Sequence, residues 1–317
     1  MLTFILFILG FVFLVKGADL LVEGASSIAK RIGVSDIVIG LTVVSLGTSA
    51  PELLVNIVAS FKGNADIGIG NILGSNISNI FLILGISALI NPLKIQRNTT
   101  WKELPLNSLA AVVLFLAAND ILIDKAEKSV ISRIDGLILM AFFFIFLSYI
   151  INLAKTNKEK KVDRKYHPVN KAVIMAILGV VGLALGGQWV VDGAIAIATK
   201  LGLSEALIGL TIVAVGTSLP ELATSAVAAY RGKADIAIGN VVGSNLFNIF
   251  WVLGLSAAIR PLPFNVMINA DIAVYLFATI MLFIFCFTKK RYQLDRQEGA
   301  FFLIAYIAYI SFLMIRG

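Results

Sequence analysis

Charge is what this chain has least of. Only 14% of its 317 residues are Asp, Glu, Lys or Arg, against about 25% in an ordinary soluble domain. It has one cysteine, Cys286, so an intrachain disulfide is excluded; its Phe-rich apolar surroundings give it a packing role. It has one histidine, His167, in a polar stretch without other candidate ligands, which excludes the His and Cys clusters that hold zinc or copper. The net charge of +7 raises the question of nucleic acid. The basic residues fall in short loops rather than along one face with interleaved aromatics, so no nucleic-acid partner is expected.

Apolar residues make up 59% of the chain and the mean hydropathy is +0.93. Almost uncharged stretches long enough to cross a bilayer, about 20 residues each, recur at 2–28, 36–61, 67–91, 104–122, 134–154, 171–198, 204–230, 235–259, 267–288 and 299–315. They predict an all-α polytopic membrane protein with ten transmembrane helices, whose surroundings are the lipid bilayer. The first stretch could pass for a signal peptide, with small residues from Gly24 to Ser27. Its likeness to the internal stretch 171–197 makes it a first transmembrane helix instead.

That likeness is general. Sliding the sequence on itself by 169 residues aligns Gly24–Leu93 with Gly193–Leu262 without a gap, and 39 of the 70 pairs are identical. The chain therefore divides into a first five-helix repeat, 1–154, a basic linker, 155–170, and a second five-helix repeat, 171–317. An odd number of spans makes the second repeat enter the membrane from the opposite side, giving two inverted five-helix repeats, the architecture of secondary transporters. With the N-terminus outside, inner loops and helix ends collect 18 of the 26 Lys and Arg residues, and the outer side seven. Positive charge is retained inside, so the linker is expected in the cytoplasm of a cell-membrane protein and both termini outside.

The repeats agree best where they are polar: GLTVVSLGTSAPELL against GLTIVAVGTSLPELA, and ADIGIGNILGSNISNIF against ADIAIGNVVGSNLFNIF. Apolar identity would follow from sitting in lipid, whereas polar identity needs another reason. Pro51 lacks an amide hydrogen and Gly47 weakens the helix before it, so carbonyls from Ser45 to Thr48 are expected to be freed. Freed carbonyls in a membrane must line a wet or coordinated cavity. Thr48, Ser49 and Glu52 follow within one turn, Thr48 and Glu52 sharing a face. Ser75 and Asn79 are four apart on the next helix, where Gly70 and Gly74, like Gly239 and Gly243, have the spacing that lets helices approach closely. The second repeat supplies the Ala214 carbonyl, Thr217, Ser218, Glu221, Ser244 and Asn248.

An ionised acid at the bilayer centre costs roughly 2.5–3.5 kcal/mol even on the lenient insertion scale. A buried base could compensate Glu52 and Glu221, but neither central segment holds a Lys or Arg. A cation could also compensate them, and an all-oxygen donor set selects Ca²⁺ or Na⁺. The Ser and Thr hydroxyls could instead bond only their own helix backbone. Two further patterns carry no function: GIGNILG at 68–74 opens no strand-turn-helix unit, and the Asn76–Ser78 sequon lies within a span. Asp19 and Glu23 either line an ion pathway or sit near the interface, and the interface position is the expected one.

These duplicated GTSxPE and GNxxGSNxxN signatures resemble the α-repeats of the sodium/calcium exchangers, in the calcium/cation antiporter superfamily. The resemblance covers essentially the whole chain, as the short prokaryotic form without a large regulatory loop. It implies an antiporter rather than an enzyme, with no cofactor, moving Na⁺ against Ca²⁺ by alternating access, and no obligatory protein partner is evident. It implies Glu52 and Glu221 as shared calcium and sodium ligands, with the carbonyls of Thr48 and Thr217 completing the calcium site. Ser49, Ser75, Ser218 and Ser244, with the carbonyls of Ser45 and Ala214, resemble sodium ligands, and Asn79 and Asn248 complete the central ring. Proton-coupled relatives typically carry an acid where this chain has GSNxxN, and potassium-dependent ones an acid at the place of Asn248. Proton/calcium exchange is the runner-up, and a passive calcium channel or an intramembrane hydrolase stands further off.

The orientation is open to a direct test. In a Cys286→Ser background, single cysteines at Lys160 and Gly317 are expected to react with an impermeant maleimide from opposite sides of the membrane. Labelling of both from one side would break the inverted-repeat argument.

Overall fold

The computed structural model describes residues 2–156, 166–200 and 214–316. The helices are α1 (Leu2–Ile32), α2 (Asp36–Thr48), α3 (Ala50–Lys62), α4 (Ala65–Ile90), α5 (Thr99–Ala118), α6 (Arg133–Thr156), α7 (Val169–Lys200), α8 (Leu219–Tyr230), α9 (Ala234–Ile259), α10 (Val266–Phe285) and α11 (Arg296–Arg316). Among the described residues, eight helices are each long and apolar enough to cross a membrane, and α2 with α3 forms a ninth span bent by 48°. The ninth is a broken span of the kind the glycine and proline predicted. Of the remaining expected span, 204–230, residues 204–213 lie outside the described residues, as do 157–165 of the linker.

The repeats meet across a pseudo-two-fold axis, visible in reciprocal contacts. Strand β1 (Leu93–Lys94) of the first repeat pairs with β4 (Gln293–Leu294) of the second, while β3 (Leu262–Pro263), the copy of β1, pairs back with β2 (Val130–Ile131). These two-residue ladders stitch loops that follow α4 and α9 to loops of the other repeat. Five of these spans, α1, α2 with α3, α4, α5 and α6, fall in the first repeat, the odd number that the inversion expected from the sequence requires.

The centre of the bundle is α4 and α9. Of their most apolar 18-residue windows, 78% and 94% of residues are buried, against 22–39% for the other spans. These are the helices carrying the GSNxxN signatures. Both switch from α to π hydrogen bonding midway, at Asn79–Leu84 and Phe247–Leu253. A π turn widens the helix by one residue per turn and re-aims the side chains at its start, which here are Asn79 and Phe247 with Asn248. Gly239 and Gly243 of α9 pack where a methyl would come within 3.0 Å of Gly40 and 2.7 Å of the Ser45 hydroxyl. Gly70 and Gly74 have no such close neighbour among the described residues; by the repeat, their counterparts would be 209–214, of which only Ala214 is described.

Outside this centre, α1 and α7 lie against each other along most of their length. Gly10, Gly17 and Gly24 recur every seven residues, and a Cβ on each would fall 2.9, 2.9 and 2.6 Å from the carbonyls of Gly186, Gly179 and Ala172. Backbone meets backbone, so α1 and α7 behave as one paired unit. Gly63 and Gly232, equivalent in the repeat, end α3 and the turn after α8 with φ of 78° and 71°, which other residues rarely adopt.

Substituting Gly17 tests this packing. Gly17→Val is expected to cost about 1–3 kcal/mol through overpacking, read as a lower melting temperature of the detergent-purified protein. An unchanged melting temperature would mean the α1–α7 contact is looser than described.

Candidate functional site

The chain breaks at Ser49, whose φ and ψ of −85° and 9° end α2 and begin α3; Ser218 repeats it at −87° and 2°. Proline follows inside the first turn of α3 and α8, where its missing N–H costs nothing. Glu52 and Glu221 therefore sit in the first turns of two short helices, one from each repeat. A carboxylate is favoured there by the helix dipole. Both side chains are fully buried, and no Lys, Arg or His forms an ion pair with either among the described residues. Asp271, by contrast, is buried with Arg316 at 3.0 Å and accepts from Tyr309 at 2.9 Å. The reading of the glutamates as partners of a buried base is thereby overturned.

The hydroxyls form two equivalent clusters. Ser49 donates to Glu221 Oε1 at 2.8 Å and lies 2.9 Å from the Ser244 hydroxyl, which is itself 3.5 Å from Glu221 Oε1. Ser218 lies 3.2 Å from the Ser75 hydroxyl, which donates to Glu52 Oε1 at 3.3 Å. Each carboxylate thus accepts from the second signature of its own repeat, and a serine of the opposite repeat closes each cluster. The sequence expectation that Thr48 shares a face with Glu52 is corrected: the 48° bend separates them, and Thr48 turns to Asn240 Oδ1 at 3.0 Å. Its copy Thr217 turns to Asn71 Oδ1 at 3.2 Å. Ser45 is buried and its carbonyl accepts from the amide of Ser49 at 3.0 Å. Ala214 opens the three-residue helical turn that precedes Thr217.

Four asparagines close the centre. Asn79 donates to Asn245 Oδ1 at 2.8 Å, and Asn248 donates to Asn76 Oδ1 at 3.0 Å and to the Ser75 hydroxyl at 3.4 Å. With their nitrogens turned to these partners, the amide oxygens of Asn79 and Asn248 are left without one. Glu52 Oε2 and Glu221 Oε2 are buried and equally unpartnered. Unpaired buried oxygens cost about 1–3 kcal/mol each and more when charged. Their chemistry is uniform: two carboxylate and two amide oxygens, hard donors suited to a hard cation.

Sequence reasoning missed four members of this network, Asn71, Asn240, Asn76 and Asn245. Asn240 also donates to the Glu221 carbonyl at 3.3 Å and the Ser225 hydroxyl at 3.0 Å, bracing the break in the second repeat. All four lie in GNxxGSN, identical in both repeats, and that identity was the available signal. The structure adds partners for Asp19 and Glu23 that the sequence did not show. Both pair with Arg231, Glu23 at 3.2 Å, and Glu23 also lies 2.9 Å from His167 Nε2. They tie α1 to the turn before α9.

Against known proteins, residues 2–152 and 171–315 match the family model described as sodium/calcium exchanger protein. The sodium/calcium exchanger MaX1 of Methanosarcina acetivorans is 34% identical over 98% of this chain and 98% of its own. The inner membrane protein YrbG of Escherichia coli is 36% identical over 97% of this chain and 95% of its own. A solved structure of the sodium-calcium exchanger NCX_Mj, soaked with Na⁺ and Ca²⁺, superposes with a TM-score of 0.83 at 35% identity, covering 98% of both chains.

Asn240 offers a test of the bracing. Asn240→Leu removes the acceptor of the Thr48 hydroxyl and the donor to Ser225, and is expected to destabilise the purified protein by about 1–3 kcal/mol. Asn240→Asp restores the acceptor and should recover part of the loss in melting temperature. Equal melting of wild type and Asn240→Leu would remove Asn240 from the framework.

Proposed function

This chain belongs to the sodium/calcium exchanger protein family, and from that premise we propose the ion route it uses. It is a secondary active antiporter that exchanges Na⁺ for Ca²⁺. Glu52 and Glu221 are the ligands shared between the two ions, each contributing the oxygen that no protein group satisfies. The backbone carbonyls of Thr48 and Thr217 complete the calcium site. Ser49, Ser75, Ser218 and Ser244, with the carbonyls of Ser45 and Ala214, serve sodium, and Asn79 and Asn248 close the ring. One observation carries this reading: two fully buried carboxylates, one from each inverted repeat, with no protein cation paired to either.

Two negative charges neutralise one Ca²⁺, and removing either leaves the divalent ion half compensated where the dielectric is low. Several Na⁺ ions can take the same oxygens, so the ions compete for the glutamates and binding of one displaces the other. Competition at a shared site, exposed to one face and then the other, is what couples the two fluxes. Asn248 supplies an amide where an acid would add charge, so K⁺ finds no third carboxylate. The linker side is the cytoplasmic side of the membrane, and the termini lie outside.

In proteoliposomes loaded with Na⁺, external Ca²⁺ is expected to be taken up, while a proton gradient alone drives little uptake and added K⁺ changes little. Glu52→Gln and Glu221→Gln should insert in the membrane and lose nearly all calcium flux. Proton-driven uptake equal to the sodium-driven rate would install proton/calcium exchange instead. Calcium flow without any counter-ion would indicate a channel, and near wild-type flux in either Gln variant would remove that glutamate from the site.

A further inference from the structure

On the face where the linker joins the repeats, α1 is tied to the turn between α8 and α9. The Arg231 guanidinium bridges Asp19 and Glu23, and His167 reaches Glu23 from the end of the linker. Two residues on, the Lys233 ammonium donates to the Ser26 hydroxyl. Asp19, Glu23 and Ser26 stand about one turn apart along one side of α1, so the tie runs up the helix as a strap. Neither strap residue touches the glutamates or the serine clusters, and the ion route proposed above leaves all of them unused.

The repeat makes a second strap conceivable on the opposite face, and its residues can be read by adding or subtracting 169. Arg231 corresponds to Lys62, Asp19 to Gln188, Glu23 to Asp192, Lys233 to Asn64 and Ser26 to Ile195. In the structure that second strap is undone. Gln188 donates to Asp192 within α7 at 2.8 Å, in an exposed position, and Lys62 is exposed and forms no ion pair among the described residues. Among the described residues, the tie that fastens one face therefore has no counterpart on the other. The chemistry is unequal as well: a guanidinium facing two carboxylates on one side becomes an ammonium facing one carboxylate and one amide on the other. The Lys–Ser tie becomes Asn–Ile, which can make no equivalent hydrogen bond.

We propose that Arg231, Asp19, Glu23 and Lys233 form a latch that holds the linker face closed, and that its degraded counterpart at Lys62, Gln188 and Asp192 biases the resting carrier toward opening on the opposite face. These are positioning residues for the exchange cycle. They act through the α1–α7 pair, whose glycine contacts make it move as a unit, so that fastening one end sets the disposition of both helices. The inference rests on the alternating-access reading above. A carrier with identical ion ligands in both repeats would otherwise have no reason within its site to prefer one face. A partly exposed ion pair contributes a few-fold in population rather than a lock.

Labelling of a buried cysteine tests this without any transport. In a Cys286→Ser background, Ser27→Cys places a thiol in the linker-facing half of α1, where Ser27 is 1% exposed. Arg231→Gln is expected to speed its reaction with an impermeant maleimide applied from the linker side by about 3- to 10-fold. Arg231→Lys should keep the slow rate in large part. Gln188→Glu, which restores the missing carboxylate on the far face, should also speed labelling at Ser27→Cys by favouring closure of that far face. An effect from the opposite side of the membrane is one that local loosening of α1 cannot produce. Unchanged labelling in Arg231→Gln, or slower labelling in Gln188→Glu, would overturn the latch, with melting temperatures reporting that each variant is folded. The labelling result stands whatever the flux assays give, so failure of the latch leaves sodium/calcium exchange intact, and failure of exchange is read in wild-type uptake alone.

Discussion

Everything central in this molecule follows from keeping two carboxylates buried without a protein cation beside them. Such a pair is held against desolvation and mutual repulsion, and the surrounding structure is what makes it tolerable. Each glutamate occupies the first turn of a short helix whose dipole favours its charge, and hydroxyls hold one oxygen of each. The other oxygen is left for the ion. A buried ion pair such as Asp271 with Arg316 satisfies itself; the glutamates keep an oxygen without a protein partner among the described residues, which is what the exchange proposed above requires of them.

That constraint dictates where the backbone is irregular. Broken helices are costly in a membrane unless the freed groups find partners, and here both breaks, at Ser49 and Ser218, fall two residues before the prolines that precede Glu52 and Glu221. Two π segments fall in the facing helices, beginning at Asn79 and at Phe247, a third, Gly40–Val44, leads into the first break, and a fourth, Thr99–Glu103, opens α5. Most of the irregular backbone thus lies in or beside the network, in α2 and in α4 and α9, the most buried spans of the bundle. The asparagines do double duty there. Their nitrogens tie one repeat to the other, and the oxygens of Asn79 and Asn248 remain available as neutral donors.

Much of this was legible in the sequence because the chain states it twice. Identity between the repeats at polar positions marked the glutamates, the serines and the break, and the odd number of spans gave the inversion. The limits were local. Counting three or four residues along an unbroken helix put Thr48 beside Glu52, whereas a bend sends it to Asn240 across the repeat boundary. Periodicity cannot show a partner 192 residues away. The π turns were invisible because the same apolar pattern serves either hydrogen-bond register, and the two-residue strands were too short to alternate. Asp19 and Glu23 were underestimated because their partner, Arg231, sits in a turn of the other repeat.

The repeats are thus alike at the centre and unlike at the edge, and the two facts have different physical origins. On the exchange proposed above, a site that must offer the same oxygens to an ion arriving from either face has little freedom to diverge, since each repeat contributes a side chain to both clusters. The ties that fasten a face touch no ion, and a change in them alters only which arrangement of the helices is populated. Arg231 against Asp19 and Glu23, with Lys62 left opposite Gln188 and Asp192, is divergence of that second kind. Exchange runs in either direction according to the gradients, and asymmetry of the ties can favour one facing state without touching the chemistry of binding. A population difference of this sort shifts apparent affinity on the two sides in opposite directions, each through the fraction of carriers that faces that side, leaving the free energy of the complete cycle to the ion gradients alone.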